Sequence, residues 1–444
     1  VGIAGGSFSV GVTYVSKFYP ATKQGTALGI FGAGNVGAAV TKFLAPFVMV
    51  AAGWEAVAQV WAAGLFVMAI IFLLLTREDP DQLARAREGR KAETLASQLA
   101  VLGNIQVWRF SLYYFFVFGA FVALALWLPH YLIGVYELDI KTAGMLAAFY
   151  SVPASLFRIY GGKLADRYGA RSVLYVTLAV SVLCTFMLSY PPTTYIIEGT
   201  KGPITFRTEM GLIPFLFAIF ILGFFMSLGK AAVFKHIPVY YPNHVGAVGG
   251  LVGMIGGLGG FVLPLAFGAL ADVTGIWTSC FVLLFVLVTV ALAWMHFAIR
   301  QMEASASRKG TSDKVPELPE MQGLGEPGIT VPPRRAGPIA DWRPEDTGFW
   351  QAGGRAIAQR NLWISTYCLL LSFAVWMVWS VVVARLPAVG FEFSTGQLFW
   401  LAAVPGLSGA TLRIFYAFLV PIFGGRLWTT MSTASLLIPA FGIG

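Results

Sequence analysis

Charge is what this chain has least of. Asp, Glu, Lys and Arg together make up 11% of its 444 residues, against about 25% in an ordinary soluble domain. With 57% hydrophobic residues beside so few charges, the composition excludes a water-soluble globule of this length. Cysteine is scarce too: Cys184, Cys280 and Cys368 all lie in apolar runs, which excludes a disulfide framework. The four histidines, His130, His236, His244 and His296, are scattered, so no metal cluster is implied. No Walker-type Gly-x-x-x-x-Gly-Lys-Ser/Thr run occurs, and ATP does not drive the protein. Gly32-Ala33-Gly34-Asn35-Val36-Gly37 spells G-x-G-x-x-G, but that dinucleotide fingerprint needs a preceding strand. Here it stands inside an apolar helical stretch, so no cofactor follows from it.

What the chain does have is long apolar runs. A spanning helix needs roughly 20 mostly apolar residues. About twelve stretches qualify: 1–18, 26–50, 55–76, 107–134, 140–165, 171–190, 210–235, 246–270, 276–299, 362–384, 396–423 and 428–444. Fifty glycines and 13 tryptophans suit close-packed membrane helices with interfacial anchors. The fold class expected is an all-α, polytopic membrane protein. The first stretch begins at Val1 without an initiator Met and the last stops within an apolar run, so both ends read as cut.

A net charge of +9 would suit nucleic acid, but the cations gather in alternate loops. Lys17 and Lys23 occupy one loop, and Arg77, Arg85, Arg87, Arg90 and Lys91 another. Lys163, Arg167 and Arg171 follow, then Lys235, then Arg300, Arg308 and Lys309. The intervening loops hold only Lys141, then Lys201 and Arg207. The positive-inside rule makes the first set cytoplasmic. Residues 301–345 carry seven prolines among Ser, Gly and charges, the composition of a disordered linker. Residues 349–360 then read as a short interfacial helix, Phe349 and Trp350 inward, Arg355 and Arg360 among headgroups.

Two arginines share one register. Arg158 and Arg413 are each followed at plus eleven by Gly169 and Gly424, and at plus thirteen by Arg171 and Arg426. Eleven residues of helix place each guanidinium about 16 Å from its loop, near the middle of a core of about 30 Å. An arginine at that depth costs between about 2.5 and 17 kcal/mol on contested scales. Snorkelling does not reach so far, and neither stretch offers an Asp or Glu at the same depth. An anion site is the better reading; a buried carboxylate partner from elsewhere is the plainer one.

Glycines repeat as well. Tyr19-Pro20 leads to Gly25, Gly29, Gly32, Gly34 and Gly37; Tyr241-Pro242 leads to Gly246, Gly250, Gly253, Gly256, Gly257, Gly259 and Gly260. Spacings of three and four let helices meet backbone to backbone, and packing accounts for most of them. Asn35 stands apart as a lone amide, either a donor to a bound anion or a packing residue. Lys42 and Lys230, also on apolar stretches, either tune the charge of a site or snorkel to an end.

The loop Gly162-Lys163-Leu164-Ala165-Asp166-Arg167-Tyr168-Gly169 resembles the signature of the major facilitator superfamily, whose charge pairs hold one gate state. Its second copy, Pro421 to Arg426 with Gly424, lacks the Asp. More specifically, Gly25 through Gly37 and Gly250 through Gly260 resemble the paired nitrate signatures of the nitrate/nitrite porter family. Ser408-Gly409-Ala410-Thr411-Leu412-Arg413 resembles its second helix, and the region of Arg158 its eighth. The resemblance covers nearly the whole chain apart from the linker. It implies a multi-pass protein of the bacterial cytoplasmic membrane and no enzyme. In that family two arginines clamp a planar anion between aromatic rings. Phe8, Tyr114 and Phe118 match the ring and hydroxyl positions, while Trp379 falls where a Phe is expected. The implied substrates are nitrate and nitrite, moved by alternating access. A facilitator for another small anion or a sugar, or a non-transporting membrane sensor, are the alternatives.

The order of the motifs departs from one carrier. Arg413 comes last, where a second helix should precede the glycine signatures. That order implies a window on two fused carriers. Residues 1–299 would be helices four to twelve of a proton-symport type, with Gly229 through His236 as the telling stretch. Residues 300–348 would be the cytoplasmic linker, and 349–444 the interfacial helix and first three helices of a nitrate/nitrite exchange type. On this reading Arg158 and Arg413 serve different sites, and the chain alone holds no complete clamp. A circularly permuted single carrier would bring the two face to face.

Overall fold

The computed structural model describes residues 2–80, 95–242, 244–308, 342–393 and 395–443. Among the described residues, nine helices are long and apolar enough to cross a membrane by length and composition. Each of the expected stretches is helical over most of its length. Most of the proline-rich linker, 309–341, lies outside the described residues.

A 3-10 turn, Gly2–Gly6, leads into helix α1 (Ser7–Ser16). Helix α2 (Gln24–Ala33) is separated from α3 (Gly37–Ala52) by a 3-10 turn at Gly34–Val36, so the expected span 26–50 is not one regular helix. Then come α4 (Trp54–Leu75), α5 (Leu95–Ala100) and α6 (Ile105–Tyr114). Helix α6 passes through a π-helical turn, Phe115–Ala120, into α7 (Phe121–Tyr136). Turns of that kind cluster at functional sites. Helices α8 (Ile140–Tyr168) and α9 (Ala170–Ser189) follow. Asp139 caps α8, its carboxylate accepting from the amides of Lys141 and Thr142 at 3.0 Å.

An antiparallel hairpin, β1 (Thr193–Gly199) with β2 (Gly202–Thr208), adds a small sheet to the helices of the described residues. Its Thr, Tyr and Ile residues favour extended backbone. Beyond it lie α10 (Leu212–Tyr240), α11 (Val245–Thr274) and α12 (Ser279–Arg308). Helix α12 absorbs residues 301–308, expected as linker. The stretch expected as a separate interfacial helix is a π turn, Trp350–Gly354, kinked at Gly353 and running directly into α13 (Arg355–Arg385). Trp350 is buried there against Tyr19, with ring centroids 5.6 Å apart. Helix α14 (Thr395–Phe423) follows, then α15 (Gly425–Ser435) and α16 (Leu437–Ile443), which divide the expected span 428–444 in two.

Two packed pairs position the site: α8 against α2, and α14 against α11. Helix α13 lies against α3 and α4, and α1 touches α2, α11 and α14. The last helices of the chain therefore complete a bundle begun by the first.

Candidate anion site

Glycine makes the room for both arginines. A Cβ at Gly29 would stand 2.8 Å from the Arg158 carbonyl oxygen, and one at Gly32 would strike the Arg158 guanidinium. On the other pair, a Cβ at Gly250 would lie 3.2 Å from the Arg413 carbonyl oxygen, and at Gly253 3.4 Å from its Cδ. Gly257 faces Ala410, one turn before Arg413. The two glycine runs thus do the same work in two copies, bringing α2 onto α8 and α11 onto α14 at backbone distance. Gly34 and Gly37 serve a different contact, against the backbone of Thr366 and Leu370 on α13, and Gly256 receives the ring of Tyr114.

The arginines converge. Arg158 and Arg413 are 2% and 1% exposed, and their guanidinium carbons lie 5.1 and 5.4 Å from the centroid of the same ring, Phe8. The sequence expectation of two separate sites is therefore corrected. Motif order follows the chain, whereas position follows packing, and α13–α15 occupy the space beside α1–α4 that completes the bundle. Phe118 covers Arg413 at 5.3 Å, Phe234 covers Arg158 at 5.6 Å, and Tyr114 stacks on Phe118 with centroids 5.0 Å apart and planes 5° from parallel. Phe8 and Phe234 meet edge to face at 5.1 Å.

The two cations are held differently. Arg413 donates from Nε to the Gly5 carbonyl at 3.0 Å and from Nη1 to the Gly253 carbonyl at 2.7 Å. Arg158 is held by rings, and its Nε and Nη1 have no hydrogen-bond partner among the described residues; nor does the Tyr114 hydroxyl. Neither arginine has a carboxylate partner among the described residues. Buried donors without acceptors are costly. Here they leave a place for an acceptor from outside, and a guanidinium fork suits a planar oxyanion.

Of the expected site residues, Phe8, Tyr114, Phe118, Arg158 and Arg413 are brought together. Asn35 is half-buried in the Gly34–Val36 turn, its Oδ1 unpartnered, and no hydrogen bond or ion pair links it to either arginine. Trp379 is not part of the cluster; its Nε1 donates to the Leu401 carbonyl at 2.6 Å and ties α13 to α14. Two neighbours escaped the sequence reading. Phe234 sits inside the Gly229–His236 stretch, where an aromatic among small residues was the available signal. Ser9, beside Phe8, has an unpartnered hydroxyl on the same side of Gly253 as Arg413 Nη1.

The loop residues form a charged seam at the end of the bundle that carries the basic loops. Asp166 accepts from the amides of Gly25 at 2.8 Å and Thr26 at 2.6 Å, and pairs with Lys235 at 2.9 Å. Gly169 and Gly424 adopt matching backbone angles, φ 84 and ψ 141 against φ 81 and ψ 151, a region that strongly favours glycine. The repeat is thus conformational as well as sequential. Arg167 lies over Tyr168 at 5.2 Å, Arg171 lines a cleft with Arg109 and His236, and Arg426 donates from Nε to the Leu73 carbonyl at 3.0 Å. Among the described residues no group of His, Cys, Asp and Glu could hold a metal.

The sequence pattern of the Major Facilitator Superfamily matches residues 1–204 and 202–444. The “Probable nitrate/nitrite antiporter NarK1” of Thermus thermophilus is 41% identical over 317 residues, 68% of this chain and 70% of that protein. The “Nitrite extrusion protein” of Bacillus subtilis is 32% identical over 319 residues, 70% and 73% of the two chains. The “Nitrate/nitrite transporter NarU” of Escherichia coli is 56% identical over a shorter 106 residues, 24% and 23%.

Proposed function

The chain belongs to the Major Facilitator Superfamily, among its nitrate/nitrite porters, and from that premise we propose that it carries nitrate and nitrite across a bacterial cytoplasmic membrane, clamping the anion between Arg158 and Arg413. It is a multi-pass membrane transporter and not an enzyme. The observation that carries the reading is the pair of buried guanidiniums on one ring, Phe8, with the free donors of Arg158 and Tyr114 beside them. A planar oxyanion accepts from a guanidinium through two oxygens at once, and the rings exclude water and sandwich its faces.

Two cations around one monoanion leave positive charge behind when the site empties. Exchange of nitrate for nitrite avoids the empty state, and net uptake requires a companion charge. Alternating access would rock the α2–α8 pair against the α11–α14 pair around the clamp. The Asp166–Lys235 seam would close the face that the basic loops assign to the cytoplasm. The relatives match in two lengths, about two thirds and about one quarter of the chain. Those shares are the sizes of two joined pieces, 1–299 and 349–444, the assembly that the motif order implies.

Labelled nitrate uptake into liposomes holding the protein tests the reading. Arg158→Lys keeps the charge and loses the fork, and uptake is expected to fall by about two orders of magnitude, in line with removal of a bidentate contact. Unaffected uptake would remove Arg158 from the site. If neither nitrate nor nitrite displaces a bound anion, the substrate is another small anion.

A further inference from the structure

A third cation shares the apolar core with the clamp. Lys230, on α10, is 3% exposed, and its Nζ lies 3.3 Å from the centroid of Phe121. Among the described residues it has neither a carboxylate nor a carbonyl partner. Its helix position ties it to the clamp. Phe234, one turn further along α10, carries Arg158 on its face and meets Tyr114 edge to face at 4.8 Å. Phe121 follows Phe118 by three residues, just past the end of the π turn. Gly229, beside it, brings α10 close against Val117 and Thr177, at 2.8 and 2.7 Å from where its Cβ would be. The plain alternative, a lysine reaching an interface, does not fit a head group seated on a buried ring.

We propose that Lys230 is the proton-carrying group of the anion site: neutral when the clamp is empty, protonated when the anion is in place. This rests on the anion reading given above. Three cations with no anion repel one another in a medium that screens them poorly. Arginine cannot shed its proton, whereas a buried lysine can. Arrival of the anion brings the negative charge that makes the ammonium favourable. The Nζ amine then takes one proton from water, –NH2 to –NH3+, and gives it back when the anion leaves. No other bond changes.

The surroundings offer no competing acid or base at that depth. On α8 the titratable and charged groups along its inner length are Arg158 and the buried Tyr150, with Asp166 engaged by Lys235 near the end. Helix α6 contributes Tyr113, Tyr114 and, at its start, Arg109; α7 contributes His130, Tyr131 and Tyr136; α9 contributes Arg171 at its start, then Tyr175 and Cys184. Helix α2 has none, and α11 has Asp272 near its far end. On α10 itself Lys235, His236 and Tyr240 lie beyond Phe234. From α14 the nearest charge is Arg413.

Mixing nitrate with the lightly buffered detergent-solubilised protein and a pH indicator reads the proton directly. The protein is expected to take up about one proton per nitrate bound, with nitrate affinity rising as pH falls, as linkage requires. Lys230→Met and Lys230→Arg are expected to take up none and to bind nitrate with an affinity independent of pH. Melting temperature with and without nitrate identifies folded, anion-binding variants. Proton uptake that persists in a nitrate-binding Lys230→Met protein overturns the assignment. So does nitrate binding by the unaltered protein without proton uptake, which leaves the anion reading intact. Absence of any nitrate or nitrite binding by the unaltered protein overturns both.

Discussion

Gly29 and Gly32 lie one turn apart on α2 and face the same helix, yet alanine at each should fail in a different way. At Gly32 the added methyl would stand 2.8 Å from Nη1 of Arg158 and closer still to its Cζ and Nε. Ordinary contact begins near 3.4 Å, so the guanidinium must retreat by about 1 Å, the displacement that typically costs a positioned group about two orders of magnitude. A side chain can give way where a backbone cannot, so the fold should survive. The retreat withdraws Nε or Nη1 from the anion. Losing one hydrogen bond to a charged group costs about 1.5–3 kcal/mol, which is roughly 10- to 150-fold in affinity.

At Gly29 the methyl would meet the Arg158 carbonyl at 2.8 Å and the Cα of Ile159 at 3.3 Å, both backbone. The α2–α8 seam must then open, and stability falls by about 1–3 kcal/mol, the usual cost of overpacking. Nitrate titration by thermal shift in detergent reads both quantities. Gly32→Ala should melt near the native temperature and bind nitrate at least tenfold more weakly; Gly29→Ala should melt lower. The reasoning is refuted if Gly32→Ala binds within about threefold of the native protein. It is equally refuted if the two variants lose stability and affinity in parallel.

Asp166→Ala leaves the first amides of α2 without their acceptor and Lys235 with the Ala21 carbonyl alone; breaking a buried pair costs about 3–5 kcal/mol. The seam should open, seen as faster labelling of cysteines introduced behind it. Trp379→Phe removes one hydrogen bond to Leu401, worth about 1 kcal/mol, and should lower the melting temperature slightly while nitrate affinity stays unchanged. The hydrogen bond from Thr142 holds the Asp139 carboxyl below its ordinary value, with the Lys141 amide adding to the effect. Its stabilisation is therefore present above the ordinary carboxylate range and lost as pH falls through the lowered value. Asp139→Ala should destabilise at pH 7, with the difference from the native protein shrinking as pH falls below the ordinary carboxylate range, as linkage requires.

Burial was legible in the sequence because it is arithmetic: Arg158 and Arg413 stand at equal distance from matched glycines, about 16 Å along their helices, and both are buried. The glycine spacing likewise announced backbone contact between helices. Partnership was not legible. Which helix meets which depends on the whole bundle, so the order of Arg158 and Arg413 in the chain pointed away from their meeting on Phe8. Phe234 and Ser9 were hidden for a related reason: aromatic and small polar residues are common in such helices, and only convergence distinguishes these two. The π turn at Phe115–Ala120 carries no composition of its own. It arises where the Tyr114 ring settles onto Gly256, and that is a tertiary fact. The hairpin at 193–208 departs from the all-α expectation, although its β-branched residues and Gly-Thr-Lys-Gly turn carried the signal.

The two glycine seams also sort the helices by how they can move. Helices that touch at glycine pack backbone to backbone, so under the proposed alternating access α2 with α8 would move as one lever and α11 with α14 as another. Arg158 rides on the first lever and Arg413 on the second, with the Phe8 ring as the pad between them. On the proposed clamp, the gap between the two guanidiniums is the quantity that rocking would alter, and an anion that fits both would act as a strut of fixed length between the levers.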